Sequence, residues 1–203
     1  KENKELYLFH QDDSLTIFNL VSLEKKSKFK IYYPKEEFNF GFPTVSINSE
    51  LYFIHDHGGI VFKLKDSLIE RIDNSFNHKN QINSTIFSYN KTIFRYGGYG
   101  FWTHKNFFTY FNFSTNEWDI VSPIESDKLP NGSQESIVKV YEDDIFIYSG
   151  TTSNNISPLE YLYHNEVWKY NTTNQYWSNI GKLKIDLRIF DDHFSYNEKQ
   201  IYI

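Results

Sequence analysis

The chain has 203 residues, with 21 Lys and Arg against 26 Asp and Glu, a net charge of −5, and no basic cluster longer than Lys25-Lys26-Ser27-Lys28. That length favours one continuous architecture over two independent domains, and that charge argues against a nucleic-acid surface. Cys is absent, which removes disulfides, thiolate catalysis and Cys-ligated zinc, and no apolar run reaches the roughly eighteen residues of a membrane-spanning helix.

Ala and Met are absent too, while Phe, Tyr and Trp make up 19% of the residues. Ala is the best helix former and aromatic side chains favour pleated surfaces, so the composition predicts an all-β chain. The opening Lys1-Glu2-Asn3-Lys4 is neither a Met start nor the apolar stretch of a signal peptide. It reads as a processed product or a piece of a longer polypeptide.

Short apolar strands recur along the chain, most of them just after a polar turn. Glu5 to Phe9 is the first, followed by Glu50 to Ile54 after Asn48-Ser49. Next come Ile93 to Tyr96 after Asn90-Lys91-Thr92, Ile145 to Tyr148 after Glu142-Asp143-Asp144, and Ile201 to Ile203 after Asn197-Glu198. A second β-rich run precedes each later turn, at Thr44 to Ile47, Thr85 to Tyr89, Ser136 to Tyr141 and His193 to Tyr196. Each pair predicts a hairpin with a tight polar turn. Taking Glu5, Glu50, Lys91, Asp143 and Lys199 as equivalent, the repeat is roughly 40 to 55 residues long, the size of a four-stranded propeller blade. The predicted blades are residues 1–33, 38–73, 80–122 and 133–182, with a fifth beginning over 185–203.

The second half of the repeat is clearest in the third and fourth copies. Asn106 to Trp118 lines up without gaps on Asn165 to Trp177, each running strand, polar turn, Trp. Gly97-Gly98, Phe111 and Trp118 in one copy, and Ser149-Gly150, Tyr170 and Trp177 in the next, resemble the kelch repeat. Kelch blades carry a Gly pair ending the second strand, a Tyr in the third and a Trp six or seven residues later. The resemblance is specific over about residues 80 to 182. The first two copies lack the Trp, and Gly58-Gly59 falls two residues late. It implies a kelch-like β-propeller of about four blades of four-stranded antiparallel sheet, here part of a larger propeller, since the chain opens and closes on a second strand. Within it Gly97, Gly98 and Gly150 would permit sharp turns, and Phe111, Trp118, Tyr170 and Trp177 would fill the wedges between blades.

In such a blade the loops joining strands two and three, and those leading to the next blade, share a face. Kelch relatives usually bind their partner there. The loops assigned to that face are 11–13, 34–43, 55–59, 74–81, 99–105, 123–132, 151–164 and 184–191. Aromatic residues in long loops are candidate anchors, here Tyr99, Phe101, Trp102 and His104 together with Tyr161, Tyr163 and His164. Arg188 precedes a first strand, where kelch relatives place a pocket-lining Arg.

His55-Asp56-His57 is the one compact metal-like cluster, and spacing supplies it no third ligand, so no metal site is assigned. Of the paired acids, Asp191-Asp192 are nearest the expected ring mouth, whereas Asp143-Asp144 sit in a hairpin turn. Galactose oxidase, a kelch-fold enzyme, needs a Tyr crosslinked to Cys, which this chain cannot supply. No catalytic residue and no cofactor are assigned. The sequence thus predicts a non-catalytic module that presents its loops to a protein, peptide or glycan. A kelch-type carbohydrate-active enzyme and an inter-domain packing module are the alternatives. Neither nucleic acid nor a membrane span enters the expected partners, which include further blades or domains of the same polypeptide.

Overall fold

A computed structural model describes residues 5–55, 57–75, 80–123, 128–153 and 161–184, with the backbone of 193–196 and 199–202. Its described residues form antiparallel sheets with no helix. The first sheet has three strands, β1 (Glu5–Phe9), β2 (Ser14–Asn19) and β3 (Lys25–Lys30). The second is a four-stranded meander of β4 (Thr44–Ile47), β5 (Glu50–Ile54), β6 (Val61–Lys65) and β7 (Leu68–Arg71).

The third sheet repeats this order with an excursion inserted. It runs through β8 (Thr85–Tyr89) and β9 (Thr92–Tyr96), leaves as a small hairpin of β10 (Tyr99–Gly100) and β11 (Thr103–His104), and returns as β12 (Phe108–Asn112) and β13 (Glu117–Ile120). The fourth does the same: β14 (Ile137–Tyr141) and β15 (Asp144–Tyr148), then a hairpin of β16 (Thr151–Ser153) and β17 (Tyr161–Tyr163), then β18 (Glu166–Asn171) and β19 (Tyr176–Lys182). A last hairpin pairs β20 (His193–Tyr196) with β21 (Lys199–Tyr202).

The polar turns set the register. Ile47 faces Glu50, Tyr89 faces Thr92 and Tyr141 faces Asp144, so each loop has two residues. Both residues of Asn48-Ser49 and of Asn90-Lys91 take positive φ, as a hairpin matching the strand twist requires. This register makes Thr92 and Asp144 the counterparts of Glu50, one residue beyond the Lys91 and Asp143 expected from the sequence. Spacing between polar residues does not reveal which of them opens the strand.

Side chains alternate along β5, and both faces are buried. Leu51 and Phe53 point to one cluster shared with the first sheet, and Tyr52 and Ile54 to another shared with the third. A third cluster lies between the third and fourth sheets, built from Tyr96, Phe108, Ile145, Ile147, Trp168, Tyr170 and Trp177. One apolar layer therefore separates each successive pair of the four larger sheets. Full burial of a Phe such as Phe53 or Phe62 contributes about 2 to 3 kcal/mol.

Two details show how the repeat is conserved and where it varies. The Tyr7 hydroxyl donates to Glu5 at 2.7 Å and Lys26 bridges Glu5 at 2.6 Å; Tyr52, Glu50 and Lys63 repeat both distances in the second sheet. Hydrogen bonds from the lysine and then the tyrosine hold both carboxyls below their usual range. In the loop 34–43, assigned from sequence to the partner face, Lys35 to Glu37 are exposed while Phe38 turns inward. Phe38 is buried at the centre of an aromatic cluster, with ring centroids 5.0 Å from Phe53, 5.1 Å from Phe40 and 5.4 Å from Phe62. No helix among the described residues is long and apolar enough to cross a membrane.

Candidate functional site

The two inserted hairpins stand side by side, and their roots are glycines. Gly97 and Gly98 follow β9 with φ of 72° and 99°, and Gly150 follows β15 with φ of 97°. A Cβ on Gly97 would strike the Ser133 carbonyl oxygen, and one on Gly98 would lie 2.6 Å from the Gln81 backbone. Such close approach of a neighbouring loop tolerates no side chain. It also carries hydrogen bonds: the Gly98 N–H donates to Ser133 O at 2.7 Å and the Lys105 N–H to Gly98 O at 2.7 Å. Backbone pairs Ile82–Tyr99 and Gln134–Thr151 fasten each hairpin to the segment before it.

The β10–β11 hairpin turns through Phe101 and Trp102, at φ of 47° and 65°. Bulky residues at positive φ are unusual, and this tip carries two in succession. Their side chains are 73% and 90% exposed, so packing within the chain does not account for them. Tyr161, Leu162 and Tyr163 on β17 are half-exposed beside them. No Asn-Gly or Asp-Gly marks either turn, which is why both hairpins read as plain loops in the sequence.

His104 ties the pair together. Its Nδ1 accepts the Ser153 backbone N–H at 3.2 Å, and its ring lies 5.0 Å from that of Tyr99. Because Nδ1 accepts a backbone proton, the neutral ring carries its own proton on Nε2, which is shut off from solvent and makes no hydrogen bond. Burial and the neighbouring His164 hold the His104 pKa below its ordinary 6.5. An unfolded chain therefore binds a proton here more readily, so stability is full above pH 6.5 and declines as pH falls through 6.5 toward the lowered folded-state value. Urea midpoints of His104→Gln should vary less than those of the unaltered chain over this window, and equal slopes would disprove the effect.

Between the hairpins lies a cleft of about 290 Å³ lined by Tyr99, Trp102, His104, Gln134, Ser153 and Tyr161. Four of these six were candidates from the sequence. Gln134 and Ser153 carry no motif in the sequence; Ser153 ends β16 within the second hairpin, and Gln134 lies in the connection between β13 and β14, held to that hairpin by its backbone pair with Thr151. His164, close enough to His104 to lower its pKa, does not line the cleft; its N–H is bonded to Gly150 O at 3.0 Å, and it borders a separate void of about 10 Å³. Phe101 and Tyr163 flank the cleft region without lining it. Arg188, Asp191 and Asp192 fall outside the described residues.

The other candidates occupy structural positions. His55 Nδ1 accepts the N–H groups of His57 and Gly58 at 3.1 and 3.2 Å, capping a tight turn, and no group of three metal-ligating side chains occurs among the described residues. Asp144 bridges Lys169 at 3.1 Å and accepts from Asn171 at 2.7 Å. Phe111 pairs across strands with Trp118 and Tyr170 with Trp177, at ring distances of 5.4 and 5.0 Å. Trp118 donates its indole N–H to Gly59 O of the second sheet at 2.7 Å.

The geometry defines an all-β protein of several small antiparallel sheets with an aromatic cleft on one set of loops. No family model and no curated protein matches the chain. Among solved structures it is similar to YjhT, with a TM-score of 0.58 and 10% identity over 89% of this chain and 67% of that one. At that identity the likeness establishes the fold alone.

Proposed function

We propose that the chain is a segment of a kelch-like β-propeller that acts as a non-catalytic binding module, docking its partner on the face that carries the two inserted hairpins. Support for the propeller comes from the sheet order and the contacts between sheets. First strands neighbour one another in succession, β4 against β8 and β8 against β14, as blades converging on an axis would. The reading is also supported by the positive-φ Gly97-Gly98 and Gly150 that follow β9 and β15, and by the cross-strand pairs Phe111–Trp118 and Tyr170–Trp177.

The observation that carries the binding reading is the display of Phe101 and Trp102 at a hairpin tip, exposed and at positive φ. Backbone strain and exposed aromatic surface are both unfavourable to the isolated chain, and docking would relieve the exposure. Aromatic residues are also the side chains that most often dominate binding energy at an interface.

A fluorescently labelled chain probed against immobilised peptide and glycan panels tests this. The double variant Phe101→Ser/Trp102→Ser should retain its urea midpoint and lose at least about tenfold in affinity for whatever is captured. Unchanged affinity would move the docking surface off this face.

A further inference from the structure

We infer that the cleft between the two hairpins binds one neutral sugar residue of a glycan. The inference rests on the reading that this face docks a partner, and it names the chemistry of that partner. Three features of the cleft argue for it.

Size comes first. At about 290 Å³ the cleft lies at the small end of ligand sites, which suits a single ring with its substituents better than a folded partner.

Charge comes second. The six described residues that line the cleft, Tyr99, Trp102, His104, Gln134, Ser153 and Tyr161, carry no Asp, Glu, Lys or Arg. His104, the one titratable ring near neutrality, is held in its uncharged form by burial and by His164. A phosphate, carboxylate or ammonium group would meet no opposite charge among these six residues, which favours an uncharged ligand.

Unused hydrogen-bonding capacity is the third feature. The Gln134 backbone is committed to Thr151, yet its carboxamide makes no hydrogen bond among the described residues. Among the described residues the Trp102 indole N–H and the Tyr99 and Tyr161 hydroxyls likewise make no hydrogen bond, and the Ser153 hydroxyl meets His104 Nδ1 alone, at 3.4 Å. The site therefore offers aromatic faces together with donors and acceptors that nothing in the described chain satisfies. A neutral sugar ring matches both, laying its C–H face on an indole or phenol and directing hydroxyls at the carboxamide and hydroxyl groups. An apolar peptide side chain would match the rings alone and leave the Gln134 carboxamide without a partner.

The test titrates the full chain with glucose, galactose, mannose and N-acetylglucosamine and with short oligomers of each, following tryptophan emission and ligand-observed NMR. At least one of these should shift the exposed Trp102 emission to the blue. The shift should vanish in Trp102→Phe, which keeps a ring but removes the reporter, while NMR still detects binding. Gln134→Ala should weaken binding roughly three- to tenfold and Trp102→Ala at least about tenfold. Glucuronate and N-acetylneuraminate should bind more weakly than the best neutral sugar.

If no neutral sugar binds at about 20 mM, where even a weak single-ring site fills, the sugar proposal is overturned. Tighter binding of the acidic sugars overturns it as well. Capture of a peptide that depends on Phe101 and Trp102, with no sugar bound, would overturn the sugar class while leaving the docking face intact.

Discussion

Alanine at Gly97 is expected to cost the fold at least about 3 kcal/mol, enough to leave much of the chain unfolded if its stability is ordinary. The φ of 72° is one cause, since a β-carbon is disfavoured there. The larger cause is collision, because the added carbon would overlap the Ser133 carbonyl oxygen. That oxygen cannot simply withdraw. It accepts the Gly98 N–H at 2.7 Å, and the Gln81 carboxamide holds the Gly97 carbonyl oxygen at 3.0 Å from the other side. Relief would have to separate the β9 end from two neighbouring loops at once. Gly181→Ala is the matched control, with φ of 137° and nothing within 4 Å of the added carbon. It should cost only about 1 kcal/mol of backbone strain. Urea unfolding of the two variants checks this, and similar losses at the two positions would mean that collision contributes nothing.

The same glycine shows why part of the fold was legible in the sequence. A residue that cannot be replaced without collision leaves a fixed landmark, as do the cross-strand pairs Phe111–Trp118 and Tyr170–Trp177. Tight turns were legible because Asn48-Ser49 and Asn90-Lys91 each stand between two short apolar strands. What those runs could not show is that a charged residue within one is buried between sheets. Arg95 occupies the place that Phe53 holds in β5 and Ile147 in β15, and a charge there reads as a solvent-facing position. Instead it is 1% exposed, 5.0 Å over the Trp118 ring, with Ser84 Oγ at 3.2 Å and Gln81 O at 3.3 Å as acceptors. A stacked guanidinium with fitted acceptors can replace an aliphatic side chain between sheets.

The candidate site was legible only by halves. Exposed aromatic residues in two insertions were visible as composition, and their convergence was not, because it depends on neighbouring repeats placing equivalent insertions side by side. Tyr99 and Tyr161 come from different sheets, and Gln134 enters from the connection between those sheets. Phe38 illustrates the reverse case, an aromatic loop residue that fills core. Loop position alone therefore does not separate an anchor from a plug; burial does.

That distinction yields the second large effect. Trp177→Ala is expected to destabilise by about 3 to 5 kcal/mol, the range for deleting a buried large aromatic. Trp177 is 4% exposed and packs against Tyr170 at 5.0 Å, Phe108 at 5.7 Å and Tyr96 at 6.0 Å, rings supplied by both the third and fourth sheets. Removing it opens a cavity that these rings cannot close without moving the two sheets together, so the cost includes lost packing as well as lost burial. Trp102→Ala removes the same atoms from a tip that is 90% exposed, and should change stability by no more than about 0.5 kcal/mol. Urea midpoints at constant m-value measure both. Near-ultraviolet circular dichroism should weaken mainly in the Trp177 variant, whose indole sits in a fixed asymmetric environment. Equal stability losses would place Trp102 in the structural core and remove the case for display. Unequal losses make Trp102 substitutions clean probes of binding, since any affinity they abolish cannot then be charged to unfolding.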